Sequence, residues 1–376
     1  MAMDAQMVSE RLATLSSTGL AHEAFAESAL EVLKRAVPFE SACLASCDPD
    51  TQLLTGTTKV GLPDARDAEF ATFEYERPDV NSFWEIARRP IPVGVLALDT
   101  DGHPERAARY RDFLVPHFDQ GNELRAALRA DGRTWGFVGL YRPTSAPGFS
   151  PAEAAFVAGV SQVLAAGFRA GLIAGAAQIA DPVHGPAVLV VDAHDTVTSA
   201  SGPAEQRLEQ LGGSVWGALP IQLLTVVASA RAFGAGVRTT PASTRVRARD
   251  GSWLVVHAAP LATPSGPSNQ VVVTVEAARP PELIPLIVAA YQLTDRERDV
   301  VVAVLGGAST REIAGSLHLS PYTVQDHLKA VFIKCGVSSR RELIAKVFFN
   351  HYAPVIGRPL DTSGRAFPPE SSVTAT

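Results

Sequence analysis

The sequence predicts a multidomain chain: two mixed α+β blocks followed by an all-α domain of four helices. Three observations predict it. The chain has 376 residues, 46% hydrophobic and 19% charged, enough for two or three folded cores and too apolar for a disordered chain. Two successive stretches mix helical periodicity with short apolar runs joined by turn residues. The last stretch, after Pro280-Pro281, carries helical periodicity and helix caps alone.

The first block is expected over residues 1–178. It opens with helix-spaced apolar residues, Leu12 and Leu15, then Phe25, Ala29, Leu30, Leu33 and Val37, stopped by Pro38. SACLASC and QLLTGTT, joined by Asp48-Pro49-Asp50-Thr51, read as a hairpin. ELRAALRA and RTWGFVGLY around Asp131-Gly132 read as a second. Ser150-Pro151-Ala152-Glu153 is a capping box with proline at the first helical position, opening a helix to about 177. Between the hairpins, residues 70–84 hold five aromatics, Phe70, Phe73, Tyr75, Phe83 and Trp84, mixed with charges that favour neither regular helix nor strand. With Trp135 they are the candidates for a small-molecule pocket, or simply core.

The second block is expected over 184–279. AVLVV and TVTSA are strands about an Asp-rich turn, helices follow near 203–211 and 219–232, and TRVRARD, WLVVHAAPLA and QVVVTVEAA are three further strands. The helical domain spans 280–352, and the Pro-, Ser- and Gly-rich 353–376 reads as a disordered tail. In the helical domain Thr294 with Glu297 caps a first helix, Ser309 a short second one and Ser320-Pro321 a third, while Gly336 stops the third and Ser338 or Ser339 caps the fourth. The third helix packs Val324, Leu328, Val331 and Phe332 on one side and shows Gln325, Asp326 and Lys329 on the other. Two short helices about a tight turn, the second begun by Ser-Pro, is the layout that reads DNA in the major groove.

Residues 293–349 resemble the LuxR/FixJ-type helix-turn-helix family: L-T-x-R-E-R at 293–298, E-I-A at 312–314, L-x-x-S-x-x-T-V at 317–324, H-L at 327–328 and K-x-G-V-x-S-R at 334–340. The resemblance implies base reading by Gln325, Asp326 and Lys329. It implies backbone contacts by Thr323, His327 and Lys334, with Ser309, Thr310, Ser320 and Tyr322 as further phosphate candidates. It makes Glu297 structural and puts a dimer contact on the last helix, at Leu343, Val347 and Phe348. Asp326 departs from the family, whose residue there is usually apolar. By layout alone the first block resembles a GAF domain and the second a PAS domain.

The expected function is therefore a one-component bacterial transcription regulator, cytoplasmic, acting as a homodimer on an inverted repeat. Its partners would be double-stranded DNA, a second copy, a small-molecule effector and RNA polymerase, with no membrane and no cofactor. The alternative keeps the head and makes both front blocks dimerisation or docking modules; a fused enzyme is a third reading. A net charge of −6 confines DNA binding to one region. The start shows no basic segment before an apolar one, and apolar residues at 157–177 are interrupted by Ser161, Gln162 and Arg169. No phosphoacceptor receiver arrangement, phosphate-binding P-loop, acyl-homoserine-lactone pattern or set of nucleophile, base and orienter is found. Cys43 and Cys47 share a strand face and read as small core residues, or as a redox or metal pair. His22, His103, His117, His184, His194 and His257 show no ligand spacing, which leaves a single haem-type histidine open.

Overall fold

The computed structural model describes residues 2–77, 79–174, 185–264 and 266–351. The chain divides into two compact units, the first holding both front blocks through Ala278 and the second built on the helices from Arg279 onward.

In the first block, helices α1 (Ala2–Ser16) and α2 (His22–Leu33) precede strands β1 (Ser41–Cys47) and β2 (Leu54–Val60). Next come short helices α3 (Asp67–Ala71) and α4 (Phe83–Ile86), strand β3 (Val93–Val95), and helices α5 (Leu96–Asp99) and α6 (Val115–Phe118), with π-helical turns at Thr72–Glu76 and Tyr110–Leu114. Strands β4 (Gln120–Ala130) and β5 (Arg133–Pro143) and the long helix α7 (Pro151–Ala174) complete it. The antiparallel sheet has the order β2-β1-β5-β4-β3. Asp131 and Gly132 both take positive φ, 53° and 73°, the geometry of a tight two-residue turn matched to strand twist. Ser150 and Glu153 close the capping box that opens α7.

Register sorts the sheet into two faces. Leu44 lies opposite Val138 and Thr58, and this face meets α2 and α7. Cys43 lies opposite Lys59 and Gly139, and Ala45 opposite Phe137; this face meets the short helices. α7 satisfies length and hydropathy for a membrane span, at a mean hydropathy of 1.5, and so departs from the sequence expectation. Its Val157, Val160, Leu164 and Phe168 are buried, and it packs on β4 and β5 as a core helix.

Within the mixed aromatic segment 70–84, residues 70–76 and the start of α4 at Phe83 are helical, which in part corrects the irregular loop expected from its composition. What holds it is a buried ion network. Arg125 on β4 donates to Glu74 (2.6 Å) and Glu123 (2.8 Å), and Arg109 donates to Glu123 (2.6 Å), all four side chains being buried. Burial alone would push the Glu123 carboxyl up, but Arg109 and Arg125 outweigh it and hold it below the usual carboxylate range.

The second block comprises β6 (Ala187–Val191), β7 (Val197–Ala200), α8 (Ala204–Gln210), α9 (Ile221–Gly234), β8 (Ala242–Arg247), β9 (Trp253–Thr263) and β10 (Gly266–Ala277). Its sheet order, β7-β6-β10-β9-β8, repeats that of the first strand for strand. β8 alternates buried Ala242, Thr244 and Val246 with half-buried neighbours, as a sheet covered on one face does. α9 is buried almost all round because it lies between the blocks, against β8 and β9 on one side and β2, α3 and the first π turn on the other. Ion pairs join the blocks as well: Arg245 to Asp48 (2.6 Å) and Arg231 to Glu76 (3.2 Å).

The second unit holds α10 (Pro280–Ala290), α11 (Asp295–Leu305), α12 (Thr310–Ser316), α13 (Pro321–Cys335) and α14 (Arg340–His351).

Candidate nucleic-acid interface

Each helix of the second unit starts where its capping chemistry places it. Thr294 accepts from Glu297 N (3.3 Å) while the Glu297 carboxylate accepts from Thr294 N (2.7 Å), and Ser309 and Glu312 repeat the pattern on α12. Ser320 accepts from Thr323 N (3.0 Å), and Pro321 begins α13 without needing a donor. His318, in the turn between α12 and α13, takes a positive φ of 55°. α13 ends at Gly336 in left-handed conformation, φ 59°.

The helices share a small core of Val300, Val304, Ile313, Val324, Leu328, Val331 and Leu343. That core fixes which side of α13 faces out. Gln325, Asp326 and Lys329 are exposed there, and Tyr322 is 71% exposed at its start. Thr323 and His327 are half-buried beside them; Ser309 and Ser320 are exposed at the starts of α12 and α13, with Thr310 half-buried. One side of the unit thus gathers a helix N-terminus, which attracts phosphate, and long polar side chains able to reach base edges. Lys329 lies 3.4 Å from Asp326, both well exposed, so the pair is weak and breaks readily for a stronger partner.

Residues 291–347 match the family described as "Bacterial regulatory proteins, luxR family". This segment is a LuxR-family helix-turn-helix domain. The LuxR-type domain is 50% identical over 52 residues to an HTH-type transcriptional regulator of Mycobacterium bovis, a match covering 14% of this chain and 6% of that protein. It is 41% identical over 56 residues to the monoamine regulon transcriptional regulator of Klebsiella aerogenes, covering 15% and 25% respectively. The chain thus matches a small part of these curated relatives. Among solved structures, a Vibrio cholerae VqmA–ligand–DNA complex is similar at 18% identity and TM-score 0.22, covering 43% of this chain and 81% of that one. The bacteriophytochrome RpBphP3 of R. palustris is similar at 11% identity and TM-score 0.33, covering 73% and 62%.

Within the LuxR-type domain one expected contact has a structural role as well, and another is reassigned. The Lys334 ammonium donates to Glu297 (2.6 Å) and to the Gln292 carbonyl (3.1 Å), tying α13 to α11. Burial pushes the Glu297 carboxyl up, but Lys334 and the Thr294 cap outweigh it and hold it low. Lys334 is therefore a brace between helices, whatever else it touches. Leu343 is fully buried and its helix packs on α11 and α13, which corrects its assignment to a dimer face. The side chains of Val347 and Phe348 lie outside the described residues.

Arg311 and Arg341 were not singled out from the sequence. Both are exposed, and among the described residues neither has an ion-pair or hydrogen-bond partner. Arg340, by contrast, donates to the Ala308 carbonyl. The available signal was subtraction: the other cations of the domain find acids at helical spacing or sit where they meet a carbonyl.

The six aromatics expected to line a pocket are dispersed. Phe73, Tyr75, Phe83 and Trp135 are buried in the core. Phe83 stacks on Phe137 at 4.5 Å and lies 4.3 Å from the Arg125 guanidinium. Trp84 is 45% exposed beneath Arg88. Phe70 lines a small cavity over the first sheet. Cys43 and Cys47 are buried, and burial, followed by Asp48, pushes the Cys47 thiol up, which suits an unreactive core residue.

Proposed function

We propose that this chain is a DNA-binding transcription regulator that reads an inverted repeat as a homodimer and responds to a small-molecule effector through its front blocks. The observation that carries the reading is the exposed face of α13, Gln325, Asp326 and Lys329, in a segment that matches the LuxR family. Gln325 and Lys329 are one helical turn apart and suit adenine and guanine edges, Asp326 suits cytosine N4, and Thr323, His327, Ser309, Thr310, Ser320 and Tyr322 flank them as backbone contacts. Arg311 and Arg341 join the phosphate set. In this reading the first block is GAF-like and the second PAS-like, supported by two five-stranded sheets of identical strand order. A second copy, by symmetry, doubles the basic surface on DNA. The test is selection of binding sequences from random DNA with the full-length protein, then titration of the enriched site against scrambled DNA at fixed salt. An inverted repeat supports the reading, and no enrichment contradicts it.

One observation favours the second reading, in which the front blocks only dimerise or dock: four of the six pocket candidates are sealed in the core. Native mass spectrometry of the purified protein separates the two, since a retained small molecule fits only the first.

A further inference from the structure

A cavity of about 40 Å³ lies on the face of the first sheet that carries Thr57 and Tyr141. Its roof is Phe70 from α3, Phe113 and Leu114 from the second π turn, and Ile221. Ile221 does not belong to the first block: it is the first residue of α9, whose other side packs on β8 and β9 of the second sheet. One block therefore supplies the pocket and the other closes it.

The size is informative. About 40 Å³ admits a few waters, whereas pockets for metabolites run to roughly 300–1,000 Å³. A ligand of even one ring must displace a wall. β1 and β5 are central strands, each paired on both sides, and hold still. The start of α9 is the weaker wall: Pro220 precedes it and no side chain caps it. Both π-helical turns border this region, one beginning two residues after Phe70 and one supplying Phe113 and Leu114; such turns are frequent at functional sites.

We propose that this cavity is an effector site for a small, mainly apolar molecule of about one ring with a single hydrogen-bonding group, and that its occupancy is read by displacement of Ile221 and α9. Phe70, Phe113, Leu114, Phe118 and Ile221 set the apolar part, and Thr57 and Tyr141, with Lys59, Arg66 and Asp67 that also line the cavity, set the polar end. The inference rests on the effector-responsive reading and adds the place and the output. A ligand acts here only through its different affinity for the two positions of α9.

The test uses full-length protein with phenol as probe, read by thermal melting and by hydrogen exchange. Phenol is expected to raise the melting temperature and to change exchange about threefold or more in residues 54–76 and in residues 221–247. Leu114→Trp, which fills the cavity, is expected to abolish both effects; should it fail to fold, Ile221→Phe narrows the cavity from the other side. Ile221→Ala is expected to keep the response at 54–76 and lose that at 221–247. A response confined to 54–76 in the parent protein overturns the coupling and leaves the site. No response to phenol in folded parent protein overturns the site itself. If cell extract still shifts operator affinity then, the effector-responsive reading survives with another pocket.

Discussion

Lys329 and Arg311 are both exposed cations of the LuxR-type domain, and their surroundings give them different work. Lys329 stands on the outward face of α13 one turn from Gln325, where a contact to a base edge distinguishes sequences. Lys329→Ala is expected to cost about 1–3 kcal/mol on the selected site and much less on random DNA. Arg311 stands at the start of α12, and in the proposed reading it meets the DNA backbone rather than bases. Arg311→Ala is expected to weaken both DNAs alike and to lower the salt slope by about one. Equal losses for Lys329→Ala on both DNAs would move it into the phosphate class. A different single residue sets a pH limit. Burial lowers the His22 pKa from 6.5 to about 4, and the ring stacks on Phe168 at 5.0 Å. Because the folded state disfavours the charged ring, its contribution is whole above pH 6.5 and is lost between pH 6.5 and about 4 as the unfolded chain takes up the proton. The loss approaches about 3 kcal/mol by linkage. Chemical denaturation across that range should show it, and His22→Phe should flatten it.

At the level of elements, the short helices over the first sheet depend on ions rather than on helix propensity. Glu123 holds Arg109 and Arg125, and Arg125 in turn holds Glu74, 51 residues earlier in the chain. Glu123→Ala leaves two buried guanidiniums short of a partner and is expected to cost about 3–5 kcal/mol in denaturant unfolding. A loss under about 1 kcal/mol would mean that water replaces the carboxylate there. Since the folded state keeps Glu123 ionised below the usual carboxylate range, its contribution is present above about pH 4 and fades as pH falls further, below the window set by His22. This network also explains what the sequence could and could not show. The Asp131-Gly132 hairpin, the Ser150 and Thr294 capping boxes and the helix starts at Ser309 and Ser320 are local devices, and each was legible from a few neighbouring residues. The segment 70–84 was not. Its charges read as solvated, whereas Glu74 is a buried partner for an arginine on a distant strand, and no local pattern announces that. Leu343 was misplaced for a related reason: helical spacing shows that a face is apolar, not whether its own core or a second copy covers it. Phe73, Tyr75, Phe83 and Trp135 pose the same choice between pocket and core.

For the whole molecule the distribution of charge matters more than its total. Residues 293–349 carry eight Lys and Arg against six Asp and Glu, while the rest of the chain carries 25 against 33. The front of the protein therefore opposes DNA and the LuxR-type domain only mildly favours it. At physiological salt the opposing field fades within about 8 Å, so distant acidic residues lower affinity little. One domain with so small a positive excess remains a weak binder. Joining two of them, so that the second half-site is met at high local concentration, gains about 10²- to 10⁴-fold. That gain exceeds any screened repulsion from the front blocks. Removing those blocks should therefore weaken specific binding, even though it removes negative charge. The isolated fragment 280–352 is expected to bind the selected inverted repeat at least about tenfold more weakly than the full chain at 0.15 M salt, and to bind a single half-site about equally well. Titration of both proteins on both DNAs, with sedimentation to count the bound copies, decides it. A full-length monomer that binds as tightly as any dimer would place the affinity in one domain and remove the need for pairing. A fragment that matches the full chain on the repeat, while sedimenting as a dimer on it, would place the pairing surface within α10–α14 rather than in the front blocks.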